Sequence, residues 1–303
     1  MAWLGEIMAE KIIIATDSAC DLSLELIKEN NIRVLPLHVN IDSKEYSDGI
    51  DIDNAKLFEI VEKTGKTPKT SAVSPEEFVN FFKKLLDEDK EAHVIYTGIG
   101  SSLSGTFQSA HIAKQILDND RLHLIDSKNL STGIGLVILK AIEYNNRGWS
   151  IEKTLSKLEK LVSRIKVQFV IKSLEYLKKG GRCRGVTFII GSLLKIRPMI
   201  SVQEGKLIVS RKTIGPMKKA CAELIKVLKK DIEKVDPQFI FITHCNANES
   251  LENVKQEVEN LNIFKNVYVT NAGCTISSHC GPGTIGLLYV LKYEDVTLEE
   301  EEI

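Results

Sequence analysis

From Lys11 to Arg164 short β-branched runs alternate with stretches of helical periodicity, and this alternation restricts the chain more than any other feature. Strand signals fall at Lys11–Ala15, Arg33–Ile41, His93–Ile99 and Arg121–Ile125. Helix signals fall at Ser23–Asn30, Asp53–Lys63, Thr106–Leu117, Gly133–Asn145 and Ile151–Arg164. Strands separated by helices pair in parallel, because the crossover needs a dozen or more residues and its helix covers one face of the sheet. Ser74-Pro75-Glu76-Glu77 starts a further helix, with Ser as the cap, Pro in the first turn and Glu77 placed to reach back to the cap. Phe78, Phe81, Phe82 and Leu85 follow at i, i+3, i+4 and i+7 and form its buried stripe. Pro36 places the Arg33–Ile41 strand at a sheet edge or at a bulge.

The second half has another rhythm. Strand signals are Val167–Lys172, Phe239–Thr243, Val267–Asn271 and Thr284–Lys292, with a hairpin of Met199–Val202 and Lys206–Ser210 around Gln203-Glu204-Gly205. Helices are expected at Leu174–Lys179, ended by Gly180-Gly181, and at Val186–Leu194, Met217–Lys230 and Glu249–Leu261. The expected fold is α/β in two domains. Residues 1–10 read as a leader or a cloning remnant, 11–165 as an N-terminal parallel-sheet α/β domain, and 166–303 as a C-terminal α+β domain. Direct packing of the two leaves a ligand cleft between them.

Composition narrows the class of partner. The 40 basic and 41 acidic residues give a net charge of −1, which supplies no bulk attraction to nucleic acid or an anionic membrane. No apolar run approaches the ~20 residues of a membrane helix. Cys20, Cys183, Cys221, Cys245, Cys274 and Cys280 form no C-x-x-C pair and read as free thiols in a cytoplasmic protein. The adjacent pairs His244-Cys245 and His279-Cys280 raise zinc as an alternative, but neighbouring ligands on a strand point apart and the short ligand spacings are missing. No metal or cofactor is expected.

Hydroxyl-bearing residues gather where the first-half strands end. Thr16-Asp17-Ser18 follows one strand, Ser101-Ser102-Leu103-Ser104-Gly105-Thr106 another, and Asp126-Ser127 with Ser131-Thr132 a third; Thr70-Ser71 precedes the Ser74 cap. Ligands of open α/β sheets bind outside the carboxyl ends of strands, and hydroxyls with helix N-termini there suit an anion. Asp21, Asp53 and Ser74 read as helix caps, but one cap does not need four hydroxyls in six residues. The loop lacks the lysine and spacing of a P-loop, no dinucleotide fingerprint follows a strand, and no nucleophile elbow is present. A Ser/His esterase using Ser104, His279 and Asp17 or Asp126 is one alternative; a small-phosphate binder is another. A second cluster, Ser277-Ser278-His279-Cys280-Gly281-Pro282-Gly283-Thr284, reads as a tight turn with His279 at its rim.

Seven stretches in this order resemble the DegV family of bacterial fatty-acid-binding proteins: ATDSACDL (15–22), KTSAVSP (69–75), SSLSGTFQSA (101–110), IDSKNLSTGIG (125–135), LKKGGR (177–182), LLKIRPMI (193–200) and SSHCGPGTIG (277–286). The resemblance implies one long-chain fatty acid held between an α/β and an α+β domain. It assigns carboxylate binding to Thr70, Ser104 and His279. It further implies a non-enzymatic carrier that presents the carboxylate to a separate ATP-dependent fatty acid kinase. The family's Arg-Thr after the hairpin is replaced here by Arg211-Lys212-Thr213, so either Arg211 or Lys212 is expected to take its role. Candidate contacts to the kinase are Lys178, Lys179, Arg182, Arg184, Arg211 and Lys212. Phe169, Ile171, Phe188, Ile189, Ile190 and Leu193 are candidates to line the tail tunnel.

Overall fold

The computed structural model describes residues 10–182 and 196–292. Along the first part run β1 (Ile12–Asp17), α1 (Leu24–Glu29), β2 (Arg33–Leu35), β3 (His38–Ile41), β4 (Lys44–Ser47), α2 (Asn54–Thr64), β5 (Lys69–Ser71) and α3 (Pro75–Glu88). Then come β6 (His93–Gly98), α4 (Thr106–Leu117), β7 (Leu122–Asp126), α5 (Thr132–Asn146) and α6 (Ile151–Val162). The second part holds β8 (Ile165–Val170), α7 (Glu175–Lys179), β9 (Ile196–Gln203), β10 (Lys206–Ile214), α8 (Met217–Asp231) and β11 (Val235–Cys245). It ends with α9 (Asn248–Glu259), β12 (Asn266–Asn271), α10 (Cys274–Cys280) and β13 (Thr284–Leu291).

As the alternation predicts, the first sheet is wholly parallel, in the order β2-β1-β6-β7. The chain leaves β1 toward β2 on one side, while β6 and β7 lie on the other. The topological switch point therefore opens at the carboxyl ends of β1 and β6. The second sheet is mixed, in the order β10-β9-β8-β13-β11-β12, with only β11 and β12 parallel. Its β9–β10 hairpin turns where expected, with Glu204 and Gly205 at φ of 47° and 74°. Two successive left-handed residues are what a two-residue turn between twisted strands requires.

Three local readings change. Arg33–Ile41 is not one strand but two, in different sheets. Pro36 has no N–H for a ladder, the chain turns there, and Leu37 N donates to Ser18 Oγ at 3.0 Å instead. β3 pairs with β4 and β5 in a small antiparallel sheet, built from segments of three or four residues that are too short for periodicity to reveal. Ser277–Cys280, expected as part of a turn, belong to the helix Cys274–Cys280, and the turn begins only at Gly281. The expected helix Val186–Leu194 lies outside the described residues.

Helix α5 joins the two large sheets. Every residue from Thr132 to Ala141 is buried, because the helix packs on β1 and β6 of one sheet and on β8, β11 and β13 of the other. A helix apolar on all sides is stable only when covered on all sides. β13 is covered similarly: Leu288 and Val290 face the core shared with α5, whereas Ile285, Leu287 and Tyr289 face the core under α8 and α9.

Lys140 is the charged residue within that buried run of α5. Its ammonium lies 3.0 Å from Glu143, 2.8 Å from Asp236 and 2.6 Å from Gln238 Oε1, tying α5 to β11. Removing one partner of a largely buried charge cluster is costly because the others stay behind uncompensated. Lys140→Met is expected to lower stability by about 2–4 kcal/mol in urea titrations at neutral pH. Unchanged stability would show that water compensates the two carboxylates.

Candidate functional site

Three carboxylates from the first part of the chain gather at the switch point. Asp17, at the end of β1, accepts from Ala19 N at 3.1 Å, Tyr96 Oη at 3.0 Å and Ile99 N at 2.9 Å. Asp48 and Asp21 turn to helix α10 of the second part. Cys274 N and Thr275 N donate to the two oxygens of Asp48 at 2.8 and 2.9 Å, and Gly273 N donates to Asp21 at 2.8 Å. Ser18 completes Asp48 at 3.1 Å, and Ser131 completes Asp21 at 2.5 Å. Helix α10 has no side-chain cap of its own, so these carboxylates satisfy N–H groups that every helix start leaves free. Burial outweighs the hydrogen bonds at two of them, pushing Asp17 up to about 6 and Asp21 up to about 8.

The clamped helix delivers its side chains to a cavity. Thr275, Ile276, His279 and Cys280 line it together with Thr70 and Ser71 of β5, Leu103 and Ser104 of the loop after β6, Leu177 of α7, and Arg182. It encloses about 540 Å³ of unfilled space, open solvent at its mouth included. His279 Nε2 lies 2.8 Å from Thr70 Oγ1. Among the described residues Nδ1 is buried without a partner, and it faces Gly180, where any side chain would occupy the ring's place. Burial, with Arg182 adding to it, holds His279 down to about 4, so the ring is neutral at pH 7. A neutral ring donating through Nε2 leaves the Thr70 hydroxyl proton free to bond an anion. Ser104 Oγ lies 2.9 Å from Thr106 Oγ1 and accepts from Thr106 N at 3.2 Å. Arg182 Nε donates to Leu103 O and Nη1 to Gly180 O, which hold the guanidinium at the cavity wall.

A second cavity, with about 350 Å³ of unfilled space including open solvent, abuts the first across Leu130, Ile276 and Cys280, which line both. Its remaining wall is Ser131, Val167, Phe169, Thr243, His244, Cys245, Ala272, Thr284, Gly286 and Leu288. Its hydroxyls are already engaged. Ser131 donates to Asp21, Thr243 lies between Thr132 at 2.6 Å and Thr270 at 2.9 Å, and Thr284 donates to Cys280 O. Residues that look polar in the sequence thus present mainly carbon to this cavity. A polar head joined to an apolar extension is the architecture of an amphiphile site.

The family model described as an uncharacterised protein of the DegV family matches residues 11–292. A DegV domain-containing protein of Caldanaerobacter subterraneus is 34% identical over 283 residues, covering 93% of this chain and all of its own. The chain belongs to the DegV family. A solved DegV protein of Thermus thermophilus, described by its fatty acid binding, superposes with a TM-score of 0.86 at 33% identity, over 93% of this chain and all of that one. DegV of Bacillus subtilis, described as a fatty acid binding protein, gives 0.81 at 28% over the same shares. A stearic acid-binding protein of Eubacterium ventriosum gives 0.82 at 27%, covering 93% of this chain and 99% of its own.

In this DegV chain Thr70, Ser104 and His279 line one cavity although 34 and 175 positions separate them along the sequence. Arg182, read in the sequence only as a surface contact, lines it too. Arg211 instead pairs with Glu223 at 3.2 Å, and neither it nor Lys212 is part of either cavity. Of the other hydroxyls at the strand ends, Ser101 donates to Asp126 at the exposed surface and the buried Ser127 donates to Gly98 O. Asp17 and Asp126 are occupied in those ways, so neither carboxylate backs His279 as the esterase alternative requires. Among the described residues no group of three or more His, Cys, Asp or Glu side chains converges on a metal position. Of the expected tunnel residues, Phe169 lines the second cavity and Ile171 is core, while Phe188, Ile189, Ile190 and Leu193 lie outside the described residues, as do Arg184 and Cys183.

Asp21 makes the clamp sensitive to pH. Its folded-state pKa lies above the unfolded ~3.9, so its contribution to stability is complete below about pH 4 and is lost as pH rises toward about 8. Asp21→Asn, which keeps an acceptor for Gly273 N, is therefore expected to flatten the loss of stability between pH 5 and 8 in denaturant titrations. A variant that declines as steeply as the parent would place the charge elsewhere.

Proposed function

We propose that the protein binds one long-chain fatty acid, with the carboxylate at Thr70, Ser104 and His279 and the acyl chain in the abutting apolar cavity. The observation that carries this reading is that the cavity lined by these polar groups shares Leu130, Ile276 and Cys280 with a second cavity whose hydroxyls are engaged elsewhere. The fatty-acid binding described for its Thermus, Bacillus and Eubacterium relatives supports it. Arg182 supplies a positive charge beside the head group. Burying a sixteen-carbon chain at ~0.8 kcal/mol per CH₂ contributes on the order of 10 kcal/mol. Hydroxyl–carboxylate bonds add about 1.5–3 kcal/mol each. The chain dominates affinity, while the hydroxyls orient the ligand and select an acid.

The protein acts in the cytoplasm as a carrier, and a separate fatty acid kinase phosphorylates the carboxylate it presents. Phosphoryl transfer needs nucleotide and metal-binding groups, and the sequence carries no P-loop or kinase signature set. The exposed Lys178 and Lys212, with Lys179 and Arg211, are the basic groups offered to that partner, and docking through them weakens as salt rises.

Protein purified from its host is expected to carry a C14–C18 fatty acid, read by mass spectrometry of an organic extract. An empty extract together with no binding after delipidation contradicts the carrier reading. Ser104→Ala and Thr70→Val should each weaken fatty-acid binding by about 1–3 kcal/mol with little change in unfolding. Parental affinity in both places the head group elsewhere. Incubation with ATP, magnesium and fatty acid should form acyl phosphate only when a kinase subunit is added. Product formed by this chain alone would make it the catalyst.

A further inference from the structure

The floor of the apolar cavity is the face of three neighbouring strands, and their register arranges its residues as a grid. β13 pairs Gly286 with Phe169 of β8 on one side and with Thr243 of β11 on the other. The row on one side of it joins Val167, Leu288 and Phe241; the row on the other joins Thr284 and Cys245. Gly286 is thus the centre of the floor, and it is the residue there without a side chain. A Cβ at this position would come within 2.9 Å of Phe169 Cβ and of Gln168 O.

The two outer rows differ in kind. Thr284 and Cys245 adjoin the Cys280 end, where the cavity meets the head-group cavity. Val167 and Leu288 stand at the opposite side of Gly286, and Val167 is backed by helix α5: its Cγ2 lies 2.9 Å from where a Cβ on Gly133 would stand. Val167 and Leu288 are 1% and 2% exposed, so this end is closed by packed side chains rather than by solvent.

We propose that Gly286 admits the acyl chain across the sheet, that Val167 and Leu288 end its path, and that these three residues set the chain length accepted. The inference rests on the fatty-acid reading and adds the direction of the chain and the residues that stop it. None of the three touches the polar groups of the head-group cavity, so changing them should alter length preference and leave selection for an acid intact.

The test measures affinities of delipidated parent, Leu288→Ala, Val167→Ala and Gly286→Ala for saturated acids from ten to twenty carbons. One buried methylene changes affinity about fourfold. Leu288→Ala and Val167→Ala should move the optimum at least two carbons longer, changing the affinity ratio of successive even-numbered acids about fifteenfold. Gly286→Ala should move it shorter. Circular dichroism checks folding, and if Gly286→Ala does not fold, the two enlarging variants decide. An optimum shared by the parent and the folded variants overturns this inference while leaving fatty-acid binding in place. A parent that binds no acid of any length overturns the fatty-acid reading and this inference with it.

Discussion

Asp48 and Asp21 receive the backbone N–H groups of Gly273, Cys274 and Thr275 across the junction of the two halves of the chain. A seven-residue helix is too short to persist on its own propensity. Acceptor oxygens at its first turn satisfy donors that the helix start leaves free. The position of Thr275, Ile276, His279 and Cys280 follows from that clamp. The clamp in turn depends on β1 and the β4–α2 loop, which place Asp21 and Asp48. Burial raises Asp21, so a site built this way is pH-sensitive in its framework as well as in its imidazole.

The two cavities divide their work through hydrogen-bond accounting. In the first, among the described residues, the Thr70 hydroxyl is partnered by His279, and Arg182 brings charge to the wall. In the second, Ser131, Thr243 and Thr284 bond to protein partners and leave an apolar lining. In the proposed reading the first takes the anion and the second the alkyl chain. Reversing the ligand would bury a carboxylate where Ser131, Thr243 and Thr284 already have protein partners, at a cost far above that of a lost hydrogen bond.

Much of this was legible in the residues. Alternating strands and helices specified the parallel sheet, and the Ser74 capping box and Asp53 cap are present as read. The strand-end hydroxyls gather at the edge of the sheet where the first cavity opens. Which hydroxyl faces the cavity was not legible, because Ser101, Ser127 and Ser104 look alike until their partners are known. Helix α10 was missed for a physical reason: its stabilising carboxylates, Asp21 and Asp48, lie more than two hundred residues away in sequence. Arg182 was misjudged because its anchors, Leu103 O and Gly180 O, are backbone groups that no motif reveals. Pro36 marked an edge, but only the structure showed that the chain changes sheet there.

The central claim is that a carboxylate comes to rest beside His279. Nitrogen-15 NMR of the imidazole reads this directly, with the His279 signals assigned by comparison with His279→Gln. In delipidated protein the ring should titrate near the depressed value of about 4 set by burial and Arg182. With saturating fatty acid, an adjacent anion favours the protonated ring and the midpoint should rise. A midpoint that stays in place while the protein is fully loaded would contradict the account.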